Sequence, residues 1–200
     1  MATPPFTISF DYRCPFAKIM HLHVLTALRS GDELDVTFAP WSLNQAHRHD
    51  GDPDVWDDSK RDPDLLALAA GVSVRDRQPD LFLEAHEALF RARHDHGITL
   101  KTEDEVYGVL AGVGVNVDDV RADVEDRRPH EVIGQSHHDL ARYEPFGVPT
   151  FFVADDAVFV RYMDNPTDDP TQSVDLVHSL LAMITDRPSI NEFKHTRLSA

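Results

Sequence analysis

A chain of 200 residues is the length of one ordinary domain, or of one core carrying an insertion, and it can bury a core without help from metal or disulfide. Hydrophobic residues make up 42% and charged residues 27%, the balance of a soluble globular protein rather than a disordered one. Nineteen Lys+Arg against 35 Asp+Glu leave a net charge of −16, which excludes nucleic acid and anionic membranes as natural partners; the single cysteine, Cys14, excludes an internal disulfide and a cysteine-rich zinc site. No stretch approaches the ~20 apolar residues needed to span a bilayer. Met1 to Phe10 lacks the basic start and longer apolar run of a secretory signal, so a cytoplasmic location is the expectation.

In chain order, Phe6 to Phe10 alternates apolar Phe6, Ile8 and Phe10 with Thr7 and Ser9, the pattern of a short strand. Pro15 to Arg29 has helical spacing with its proline at the first helical position, and Gly31 stops it. Glu33 to Ala39 reads as a second strand, so the first forty residues predict a parallel βαβ unit. Asp50 to Asp64 carries seven aspartates (50, 52, 54, 57, 58, 62 and 64) and reads as a solvated loop. Helical patterns follow over Leu65–Ala70, Pro79–His94, Glu103–Ala111, Val117–Glu125 and His130–Tyr143. Two β-rich runs, Pro149–Ala154 and Ala157–Tyr162, flank Asp155-Asp156 at hairpin spacing. Val174–Ile184 closes as a helix, and the tail after Arg187 is polar. The order βαβ, helical block, ββα describes a small mixed sheet with a helical insertion.

Chemistry concentrates at Cys14. It stands at a strand-to-helix turn directly before Pro15, where free N–H groups and the positive end of the helix dipole favour thiolate. Such a place can bring a thiol pKa from ~8.5 down to ~3.5–7.5, while the bland alternative is a buried, inert cysteine. Asp11 would oppose ionisation of the sulfur, although a turn or cap role suits it better, and Arg13 would assist ionisation if it faced the sulfur. Far along the chain, Gly147-Val148-Pro149-Thr150 places a proline at the start of a strand, where a tight and even cis connection fits.

Phe10-Asp11-Tyr12-Arg13-Cys14-Pro15 and Gly147-Val148-Pro149-Thr150-Phe151-Phe152-Val153, separated by a helical block, resemble the thioredoxin superfamily and its DsbA-like branch. The actinobacterial DsbA-like proteins, 2-hydroxychromene-2-carboxylate isomerases and kappa-class glutathione transferases are the related groups. The resemblance implies an α/β thioredoxin fold built from residues 1–48 and 144–200, with residues 49–143 as loop and all-helical insertion. It departs from the family at Ala17, where the second active-site cysteine would stand, so no self-contained dithiol chemistry is available.

What the resemblance implies is therefore a thiol–disulfide oxidoreductase acting through Cys14 alone with an external small thiol, glutathione or mycothiol, or with a thiol-containing protein. No covalently bound cofactor is implied. The alternatives are a thiol-cofactor-dependent isomerase or transferase, in which Cys14 merely occupies the sulfur position, and a non-catalytic binding module. Pro15, Phe16, Trp41, Asn44, Val148 and Pro149 are the implied thiol- or substrate-binding residues. Trp41 and Asn44 read equally well as core and turn residues. A homodimer is compatible with the pairing of many thioredoxin-fold transferases. Twelve histidines raise the question of metal. His21 and His23 lie two apart on a helix, ~200° around its axis, and cannot share a ligand. No His-Glu-x-x-His spacing occurs, so surface or partly exposed histidines without metal are expected.

Overall fold

A computed structural model describes residues 3–195. A four-stranded sheet in the order β2-β1-β3-β4 is formed by β1 (Phe6–Phe10), β2 (Val36–Pro40), β3 (Thr150–Val153) and β4 (Asp156–Phe159). β1 runs parallel to β2 and antiparallel to β3, and β3 runs antiparallel to β4. Helix α1 (Pro15–Arg29) makes the crossover between β1 and β2, and α8 (Pro170–Asp186) packs beside it. The helical block between β2 and β3 comprises α3 (Asp62–Arg77), α4 (Phe82–His94), α5 (Glu103–Ala111), α6 (Val117–Glu125) and α7 (Arg128–Leu140). This is a thioredoxin-like fold of the α/β class with a helical insertion. No helix among the described residues is long and apolar enough to cross a membrane.

The central helix α3 explains how the block holds together. Leu65 and the whole run Ala67–Val74 are buried, because α4, α5, α6 and α7 all pack against it. A helix apolar on every side belongs in a core. It is also longer than the expected Leu65–Ala70. Acidic Asp62 and Asp64 begin it and Arg75 and Arg77 end it, each complementing the helix dipole without adding apolar period.

Other departures have equally local causes. A four-residue helix α2 (Leu43–Ala46), too short to show a period, follows β2. β2 is shifted to Val36–Pro40, aligned with β1 over its full length, instead of Glu33–Ala39. The β3–β4 turn is Ala154-Asp155 rather than Asp155-Asp156, with Ala154 in the left-handed region at φ 52. The aspartate-rich stretch is not wholly solvated: Val55 and Trp56 are 2% and 7% exposed, and Trp56 packs on His137. Trp56 pins the loop against α7 through His137 and His138, and the Val55 N–H donates to Gln45 Oε1 of α2 at 3.1 Å.

Candidate active site

Helix α1 starts where it does because Cys14 caps it. Cys14 has extended backbone angles, its Sγ accepts the Ala17 N–H at 3.5 Å, and Pro15 occupies the first turn where no donor is lost. The turn leading to it is fixed by Asp11, which is buried. Its carbonyl accepts the Cys14 N–H at 3.0 Å, and its carboxylate accepts from the Arg13 N–H at 2.9 Å, the Arg13 guanidinium at 2.8 Å and the Leu43 N–H at 2.9 Å. Asp11 thus holds the turn and the start of α2 together. Arg13 also donates to Asn44 Oδ1 at 2.7 Å, so its guanidinium is held by Asp11 and Asn44.

The other wall comes from the far end of the chain. The Val148–Pro149 peptide bond is cis, and the Cys14 S–H donates to the Val148 carbonyl at 3.0 Å. Ser9 secures that segment to β1: its Oγ accepts the Thr150 N–H at 2.9 Å, while Thr150 Oγ1 donates to the Gly147 carbonyl at 2.7 Å. Of the residues the sequence singled out, the fold thus brings Cys14, Pro15, Phe16, Val148 and Pro149 to one place. Asn44 joins them through Arg13. Trp41 does not line an opening. It is 4% exposed with its ring stacked on His137 at 5.0 Å, supporting this edge from inside. His137 is neutral, its pKa brought down to about 4 by burial and then by His138, and its Nε2 accepts the Ser42 N–H at 2.8 Å.

The thiol's ionisation departs from the expectation for a helix start. Cys14 is only 8% exposed, and burial pushes its pKa above the ordinary thiol value. The N–H groups of Ala17 and Phe16 pull it down, Asp11 pushes it up, and Arg161 pulls it down, but desolvation is the largest influence. The resting group is accordingly a neutral S–H given to the Val148 carbonyl. Arg161 rather than Arg13 is the cation that acts on the sulfur, and no local signal in the sequence marked it.

Behind the site lies a second constellation. The Tyr12 hydroxyl meets His86 Nδ1 at 2.8 Å, His86 Nε2 meets His21 Nδ1 at 2.8 Å, and His21 Nε2 meets the Ser9 carbonyl at 3.1 Å. A carbonyl only accepts, so His21 carries its proton on Nε2. Each neutral ring then fixes the next, and Tyr12 donates into the chain. Burial drives His21 down to about 3 and His86 well below the ordinary histidine range. The expectation of surface histidines is therefore corrected: His21, His23, His86 and His130 are all buried, and the first two serve opposite sides of α1. His23 meets Ser173 Oγ at 2.9 Å and the Asp164 carbonyl at 3.0 Å. An aromatic environment explains the placement, since His86 packs edge-on to Phe10 and Phe90.

A sheet of this topology, with a thiol capping its first helix opposite a proline-bounded strand, defines a thioredoxin-fold thiol site. Residues 7–172 match the model of the DSBA-like thioredoxin domain, and the chain belongs to that family. No curated protein matches the sequence. Among solved structures, the chain is similar to the MdbA protein, a thiol-disulfide oxidoreductase from Actinomyces oris, at 19% identity and a TM-score of 0.62, covering 89% of this chain and 81% of that one. A probable DsbA oxidoreductase from Streptomyces coelicolor aligns at 13% identity and a TM-score of 0.61 over 98% and 94% of the two chains. A 2-hydroxychromene-2-carboxylate isomerase aligns at 14% identity and a TM-score of 0.58 over 94% and 99%. At such identities these likenesses speak for the fold.

Proposed function

We propose that this DSBA-like protein exchanges disulfides through Cys14 alone, with glutathione, mycothiol or a protein thiol completing the cycle. The observation that carries the reading is the placement of one sulfur between the Ala17 N–H and the Val148 carbonyl, with alanine where a second sulfur would resolve the intermediate. In the first step the Cys14 thiolate attacks one sulfur of an external disulfide. A Cys14–S–S–R bond forms, the external S–S bond breaks, and the other half leaves as a thiolate. A second external thiolate then attacks the R-group sulfur, producing a new external disulfide and returning Cys14 as thiolate. Deprotonation precedes attack, because the resting S–H is donated to Val148; once formed, a thiolate of raised pKa is the more intrinsically nucleophilic.

Intact-mass measurement after incubation with glutathione disulfide tests this. One glutathione per chain, located on Cys14 and removed by reduced glutathione, is the expected result. A wild-type chain that stays unmodified from neutral to alkaline pH overturns it. The buried, protonated state of the thiol favours a second reading: a thiol-cofactor-dependent isomerase or transferase in which Cys14 occupies the sulfur position without reacting. Saturable binding of reduced glutathione by Cys14→Ser, with turnover of an electrophile, distinguishes that reading. A protein that does neither is a binding module.

A further inference from the structure

Three cations lie around the Cys14 turn, and two of them are engaged. Arg13 is bound to Asp11 and Asn44, and Lys18 is paired with Asp95. Arg161 differs. Its guanidinium carbon lies 4.7 Å above the Phe16 ring and 5.7 Å from that of Phe159, and among the described residues it has no hydrogen-bond or ion-pair partner. Phe16 is the second residue after Cys14, in the first turn of α1.

The hairpin register explains why Arg161 stands there. Thr150 pairs with Phe159, and the Val160 N–H donates to the Pro149 carbonyl at 3.1 Å. The chain leaving β4 thereby carries Arg161 over the Phe16 ring in the first turn of α1, beside Cys14, whose S–H is given to the Val148 carbonyl. A guanidinium seated over an aromatic ring, with no hydrogen-bond partner of its own, keeps its planar fork of N–H donors free. That fork matches a carboxylate in bidentate fashion, with less orientational freedom to lose than a lysine would have. In a chain of net charge −16, an anion approaching the thiol needs such a local attraction.

We propose that Arg161 is the carboxylate-binding residue of the thiol site, selecting a low-molecular-weight thiol that carries carboxylates, as glutathione does, over an uncharged one such as mycothiol. This rests on the exchange reading above. In the mixed-disulfide step, Cys14 thiolate plus the disulfide gives the Cys14 adduct and one released thiolate, and Arg161 holds a carboxylate of the half that becomes attached.

Three symmetric disulfides of different charge test it: glutathione disulfide (anionic), 2-hydroxyethyl disulfide (uncharged) and cystamine (cationic). The rate of adduct formation on Cys14 is followed by intact mass at low ionic strength for wild type, Arg161→Gln and Arg161→Lys. Taking the ratio of anionic to uncharged rates cancels any effect of Arg161 on thiol ionisation, which would act on all three probes alike. The expected result is a fall of roughly tenfold in that ratio for Arg161→Gln, a smaller fall for Arg161→Lys, and a wild-type ratio that shrinks with added salt. Equal slowing of all three probes, or an unchanged ratio, overturns the assignment and leaves the exchange reading standing. No adduct with any probe on the wild-type chain overturns both.

Discussion

At the scale of single residues, the sulfur's surroundings set the chemistry. Cys14 receives the favourable helix-start contact, but its burial and the Val148 carbonyl hold it as thiol. Alkylation by iodoacetamide should therefore accelerate with pH across the ordinary thiol range and beyond, with no plateau at neutral pH; a rate already level by pH 7 would contradict this. Ala17 is fully buried one turn along α1, with its N–H on the sulfur. Ala17→Cys should form an internal disulfide with Cys14, seen as a two-proton mass loss on oxidation, and retention of two free thiols would contradict the assigned geometry. Cys14, Pro15 and Pro149 were legible because each stands at a position that its chemistry explains. Arg161 was not, since only the folding back of the β3–β4 hairpin carries it from position 161 to the Phe16 ring beside Cys14.

At the scale of elements, the apolar period decides what is legible. α1, α5 and α6 have the ends that their spacing predicts, and in the structure Pro15 opens the first, a Thr102–Glu105 capping box opens the second, and Asn116 caps the third. The apolar period of α3 covers only Leu65–Ala70 because its polar ends carry none, and α2 is too short to show a period. The loop from Asp50 looked solvated because seven carboxylates hide two anchoring apolar side chains. The helical block also reaches the site through α3. A Cβ added at Gly71 would come within 2.3 Å of the Tyr12 hydroxyl, which begins the buried Tyr12–His86–His21 chain. Gly71→Ala should destabilise the fold by about 1–3 kcal/mol, the usual range for overpacking. Denaturant unfolding checks this, and an unchanged midpoint would show that Tyr12 is not held where it is described.

At the scale of the whole molecule, the net charge describes the surface, while the buried histidines govern how stability responds to pH. His21, His86 and His137 are neutral when folded, their pKa values lowered chiefly by burial. Above pH 6.5 both folded and unfolded chains hold these rings neutral, so they add no pH dependence. Below 6.5 the unfolded chain takes up protons first, and stability falls as pH drops towards the folded values. From pH 6.5 to 5, a ring that stays neutral in the folded chain costs on the order of 2 kcal/mol of stability. Denaturant unfolding at pH 7 and pH 5 reads this loss before most carboxylates titrate; equal stability at both would contradict the neutral chain.

The proposed exchange makes Cys14 the one thiol on which turnover depends. Turnover of 2-hydroxyethyl disulfide with reduced glutathione, followed through glutathione reductase, should be accelerated by the wild-type protein in proportion to its concentration and fall to the uncatalysed rate for Cys14→Ser. Acceleration that survives in Cys14→Ser would contradict it, and so would a wild-type protein that adds nothing to the uncatalysed rate.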